Sequence, residues 1–123
     1  MEQSNSHEDI RELRKVFTTV KTHLLKQNKK SVNSENCTMY HGDDGTRCPI
    51  GVLIKDKYYT PNLESFQLDT PEIQYALKKS GINVDLGYML GLLYLLRIIH
   101  DHHEPKDWNE NLHVLSDRLW RFV

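Results

Sequence analysis

The most apolar stretch of the chain runs from Leu86 to Asp101, LGYMLGLLYLLRIIHD, and between Leu86 and Ile99 it carries one charge, Arg97. Apolar residues fall on nearly every side of a helical wheel, the pattern of a buried central helix rather than a surface one. The other elements are arranged around it. Ile10, Leu13, Val16, Phe17, Val20 and Leu24 recur at threes and fours. That spacing predicts an amphipathic helix of about five turns, opened by Ser6 as N-cap, with Glu8 and Asp9 at its positive end. It ends near Asn28 to Lys30, and its opposite face (Arg14, Lys21, Lys26) reads as a solvated basic surface.

SVNSEN, residues 31–36, breaks the pattern and reads as a loop. Thr38-Met39-Tyr40 and Thr46-Arg47-Cys48 flank a GDDG tip, which predicts a small β-hairpin. Pro49 suits a first helical position, and Ile50, Val52, Leu53 and Ile54 extend about one and a half helical turns from it. Thr70, Pro71 and Glu72 open a helix over Pro71 to Ser80, with Lys78 and Lys79 in its last turn and Gly81 just past its end. Pro105 opens the last helix, whose stripe is Trp108, Leu112, Leu115, Leu119 and Phe122. Trp120 falls off that stripe. The expected architecture is mainly α, a compact domain of about four main helices with a small β-hairpin insertion. Residues 1–6 form a flexible N-terminus and 7–123 a single domain.

A chain of 123 residues can bury a real core as one domain. Its 38% hydrophobic and 27% charged content is ordinary for a soluble protein. A net charge of −1 argues against strong nucleic-acid binding, which needs an excess of Lys and Arg, and equally against an acidic DNA mimic. The start MEQSNSHEDIREL has no basic segment followed by an apolar run, so no secretory signal is expected. The central helix is too short, and too interrupted by Arg97, for a membrane span. A cytoplasmic location follows (host cytoplasm for a phage-encoded chain), with Cys37 and Cys48 as thiols rather than a disulfide.

Three constellations could carry chemistry. Cys37, His41 and Cys48 fall close together, and with His100 they would complete a tetrahedral zinc set, although the spacing lacks the tight ligand pairs of closed zinc sites. Zinc is therefore a secondary expectation, and no cofactor the first. Cys48, just before Pro49, would have its thiol pKa lowered by a helix N-terminus, with His100 as base and Asp101 beside it. Adjacent residues on a helix point about 100° apart, which weakens Asp101 as the group orienting His100. A histidine ending an apolar line is more commonly a core residue bonded to backbone. Asp43 and Asp44 lack the alternating pattern of a calcium loop and read as turn chemistry. As partner contacts the large amphipathic side chains stand out: Tyr58, Tyr59 and Trp120, together with His102 and His103.

The run Cys37-x-x-Tyr40, Gly45-x-Arg47-Cys48-Pro49-Ile50-Gly51-x-Leu53-Ile54-x-Asp56-x-x-Tyr59 resembles a pattern in small proteins of bacteriophages and bacteria, roughly C-x-Y-x-G-x-x-G-x-x-C-A-I-G-x-L-I-x-D-x-x-Y. Their later L-x-x-I-H-D and W-x-x-x-L are matched by Leu95 or Leu96, Ile99, His100, Asp101, Trp108 and Leu112. Pro49 replaces the usual small residue, and Glu64-Ser65 stands where Glu-Gly is usual. The resemblance implies a phage or mobile-element accessory protein, and ties the Cys48 segment to His100 and Asp101, without assigning either a catalytic role. The expected function is binding and modulating or inhibiting a host protein, such as a defence system, in the manner of an anti-CRISPR and without catalysis; a homodimer is compatible with it. The alternatives are a small enzyme or ligand-binding protein using Cys48 and His100, and a zinc-stabilised interaction module.

Overall fold

A computed structural model of the chain describes the backbone of residues 6–121 and the side chains of residues 8–119. Four α-helices follow in order: α1 Ser6–Gln27, α2 Pro71–Lys79, α3 Met89–His102 and α4 Pro105–Arg121. Helices α1, α3 and α4 pack on one another, and α1 also meets the short turn Gly51–Leu53. Leu13, Val16, Val20 and Leu24 of α1, Leu92, Leu93 and Leu96 of α3, and Trp108 and Leu112 of α4 share one buried core. Residues 1–5 and the N-cap role of Ser6 lie outside the described residues, as do Phe122 and the side chain of Trp120.

α2 forms where the local signals place it. In α2 the Thr70 hydroxyl accepts from the Ile73 N–H and Pro71 takes the first turn. Gly81 leaves the helix at φ +96°, and the Ile82 N–H closes back on the Leu77 carbonyl at 2.9 Å. α3 is shorter than its apolar pattern. Tyr88 sits at φ +72°, a left-handed conformation that ends the turn over 84–88 and defers the helix to Met89. Only one side of α3 is buried. Met89, Leu92, Leu93, Leu96, Ile99 and His100 face the core, whereas Tyr88, Tyr94 and Leu95 are 83%, 54% and 43% exposed. The expectation of a helix buried all round is corrected, because its neighbours cover one flank and leave the other bare.

The β-hairpin is also corrected. The described residues contain no strand, only the isolated bridges Val32↔Thr38 and His41↔Arg47. The reason is where the N–H groups go. Met39 donates to the Ser31 carbonyl at 2.9 Å, and Tyr40 and His41 donate to the Glu64 carboxylate at 2.9 and 3.0 Å. Two bonds do cross the predicted hairpin, from the Gly42 N–H to the Thr46 carbonyl at 2.9 Å and from the Cys48 N–H to the Tyr40 carbonyl at 3.2 Å, but with the Tyr40 N–H spent on Glu64 the pairing stops at the one bridge His41↔Arg47. The GDDG tip becomes a single 3-10 turn, Asp43–Gly45, with Asp44 and Gly45 at φ +62° and +73°. No α-helix starts at Pro49; the chain makes the 3-10 turns Gly51–Leu53, Asp56–Tyr58 and Pro61–Ser65, separated by extended residues.

Candidate functional site

Glu64 is the residue around which the irregular half of the chain closes. It is carried on the Pro61–Ser65 turn, and its carboxylate accepts three hydrogen bonds: from the Tyr40 N–H, the His41 N–H and, at 2.6 Å, the Tyr59 hydroxyl. Burial, then the bond to Glu64, drives the Tyr59 phenol far above its ordinary value. Tyr59 also stacks on His41, ring centroids 3.6 Å apart. His41 Nε2 is buried with no hydrogen-bond partner among the described residues. Burial, and then the Arg47 charge, hold His41 below its usual pKa. The Tyr40 hydroxyl donates to the Phe66 carbonyl at 2.6 Å, and its pKa rises to about 12, chiefly through burial.

Cys48 lies behind this clasp. Its N–H donates to the Tyr40 carbonyl at 3.2 Å, and its Sγ accepts from the Gly51 N–H at 3.3 Å. The Gly51 and Ile50 amides, which favour the thiolate, are the remnant of the expected helix N-terminus, and they are outweighed: burial pushes the Cys48 thiol up to about 12. The thiol is therefore protonated at neutral pH, the reverse of an activated nucleophile.

His100, fully buried, ends the apolar line of α3 and stacks on Trp108 at 5.4 Å. Its Nε2 lies 2.9 Å from the Ser31 N–H, which can only donate, so Nε2 accepts and the ring proton sits on Nδ1. Nδ1 in turn lies 2.7 Å from Asp101 Oδ1. Asp101 therefore does orient the ring, against the expectation from helix geometry. At the end of α3 two side chains 100° apart still reach round the last turn to each other. With both nitrogens engaged, His100 has no lone pair to offer Cys48.

Tyr40, Cys48, Glu64, Arg97 and Asp101 line one open cleft of about 180 Å³. The structure thus brings together residues that the sequence pattern ties, with Arg97 Nε 3.5 Å from Asp101 Oδ2 at the rim. It does not bring together the zinc set. Cys37 is exposed and Cys48 buried, and among the described residues no three His, Cys, Asp or Glu side chains are placed to hold a metal ion. Asp44 pairs with Lys29 at 3.1 Å on the surface. Tyr58 is half-buried under the Lys57 and Lys79 ammonium groups, His102 is exposed, and His103 gives its carbonyl to the Trp108 indole N–H at 3.0 Å.

A second feature has no counterpart in the sequence reading. The bare flank of α3 presents Tyr88, Gly91, Tyr94 and Leu95 to solvent. Beside it runs a groove of about 490 Å³ lined by Leu68, Leu90, Gly91 and Tyr94, with Gln67 and Arg97 at its edge. The sequence carries no signal for it: at 100° per residue the buried residues of α3 fall on one arc and Gly91, Tyr94, Leu95 and Ile98 on the other, and both arcs are apolar. Among the described residues no helix is long and apolar enough to cross a membrane. No protein-family model, curated protein or solved structure matches this chain.

Proposed function

We propose that this chain is a non-enzymatic accessory protein of a phage or mobile element that binds and modulates a host protein, and that it does so through the bare flank of α3. The main support is the exposure of Tyr88, Tyr94 and Leu95 on the most apolar helix of the chain. Contiguous exposed apolar surface of this kind marks interaction sites, and tyrosine is enriched among residues that dominate binding energy. Cys48 and His100 support the same reading from the other side: Cys48 is a buried, protonated thiol and His100 has both nitrogens committed. The test is a tagged pull-down from bacterial lysate, wild type against Tyr88→Ser/Tyr94→Ser/Leu95→Lys. A host protein retained in stoichiometric amount by the wild type and released by the variant, at unchanged melting temperature, is the expected result. Equal retention by both refutes the surface.

One observation favours a second reading, a small-ligand site: the convergence of Tyr40, Cys48, Glu64, Arg97 and Asp101 on one cleft. Mass spectrometry of small molecules released on denaturing the purified protein decides it. A retained polar ligand, with no protein partner, moves the cleft ahead of the α3 flank.

A further inference from the structure

We propose that the outer face of α1 is a second docking surface, and that its occupant is an acidic protein surface. The basis is charge, independent of the α3 flank. Residues 11–30 carry seven cations and one acid, a net +6, while the remaining chain carries nine cations and sixteen acids. Lys29 and Lys30, past the end of α1, pair with Asp44 and Glu104, and the fold gathers the other five on one side of the helix. Leu13, Val16, Phe17, Val20 and Leu24 turn α1 inward. Arg11, Arg14, Lys15, Lys21 and Lys26 then fall within an arc of about 140° on the other side, over about 23 Å of helix. From Arg11 to Lys26 that arc holds no acid; Glu12 lies about 40° beyond its edge, and Glu8 stands on the same side one turn before Arg11. Among the described residues, Arg11, Lys15, Lys21 and Lys26 have no carboxylate within ion-pair distance. Between the cations stand Thr18, Thr19 and Thr22, which can hydrogen-bond a carboxylate, and Leu25, 36% exposed, as an apolar point within the ring of charge.

A face of this composition speeds and orients encounter with a surface of opposite sign. A protein suits it better than a nucleic acid for two reasons. The face has no aromatic residue on which a base could stack. A duplex is also a continuous polyanion that extends past the face and meets a remainder rich in acids, whereas a discrete acidic patch does not.

The test is fluorescence anisotropy of labelled octaglutamate, which is about as long as the face, with the full chain in low and moderate salt, compared with duplex DNA and phosphatidylserine vesicles. The variant is R11E/K15E/K26Q, with Gln at the last position because Glu there opposes the helix dipole; far-UV circular dichroism confirms that it folds. The control is K55E/K57E/K106E, three exposed lysines off α1. Expected are binding to octaglutamate that weakens as salt rises, an affinity loss of about tenfold or more in the α1 variant, and wild-type behaviour in the control. The proposal is overturned by absent binding in low salt, by equal losses in variant and control, or by tighter binding to DNA or to the vesicles than to octaglutamate. None of these outcomes bears on the α3 flank, so the two surfaces fail separately.

Discussion

Replacing Glu64 with alanine removes one acceptor that three donors share. The Tyr40 and His41 N–H groups and the Tyr59 hydroxyl lie 2.6 to 3.0 Å from its oxygens. Hydrogen bonds to a charged group contribute about 1.5 to 3 kcal/mol each, but Glu64 is only half-buried and water can reach part of the gap. Taking about 1 kcal/mol per bond, Glu64→Ala should lose about 3 kcal/mol, and lower the melting temperature by roughly 10 °C. The assay is urea unfolding at neutral pH followed by far-UV circular dichroism, with the slope of free energy against urea held the same as in the wild type. Tyr59→Phe should lose about 1 kcal/mol alone and nothing further in the Glu64→Ala background, a coupling of about 1 kcal/mol. A Glu64→Ala loss below about 1 kcal/mol, or strictly additive losses, refutes the clasp.

Three further outcomes follow from the same geometry. Iodoacetamide at pH 7 should modify exposed Cys37 in the native protein and reach Cys48 only on unfolding; native modification of Cys48 as fast as Cys37, read by mass spectrometry, contradicts a buried thiol. The folded protein holds the Cys48 proton up to about pH 12, whereas an ordinary thiol releases it near 9.0. Stability is therefore full below pH 9 and falls above it, by about 1.4 kcal/mol per pH unit for that thiol, and Cys48→Ala should flatten the fall in urea titrations between pH 8 and 10.5. Gly51→Ala should lose about 3 kcal/mol, since its Cβ would overlap the Tyr40 carbonyl oxygen; a melting temperature within a degree or two of wild type sinks that reasoning.

What the sequence made legible was whatever a local signal determines. α2 is bounded by Thr70, Pro71 and Gly81, each acting within one turn, and the threes and fours of α1 and α4 select their buried faces from residues on the same helix. The irregular half was not legible for the opposite reason. Glu64 decides the backbone of Tyr40 and His41 from 24 and 23 residues away, and no short pattern announces a carboxylate that will consume the donors of a strand. The same holds for Cys48. Its position before Pro49 suggested an activating helix end, but no α-helix starts there, and burial outweighs the Gly51 and Ile50 amides at the sulfur. His100 was readable as a core residue bonded to backbone, and the Ser31 N–H is that bond; its link to Asp101 depended on the reach of two side chains rather than on their angular separation. For α3, apolar residues all round the helix suggested full burial, and the number of neighbours available to cover it was the missing quantity.

The most direct test of the proposed function is hydrogen–deuterium exchange of the chain alone and with the host protein recovered by pull-down. Binding through the α3 flank predicts slowed exchange across residues 84–98, with the segments 38–48 and 64–67 unchanged. Slowed exchange confined to those two segments, which line the cleft of Tyr40, Cys48 and Glu64, would contradict the account and place recognition at the cleft instead.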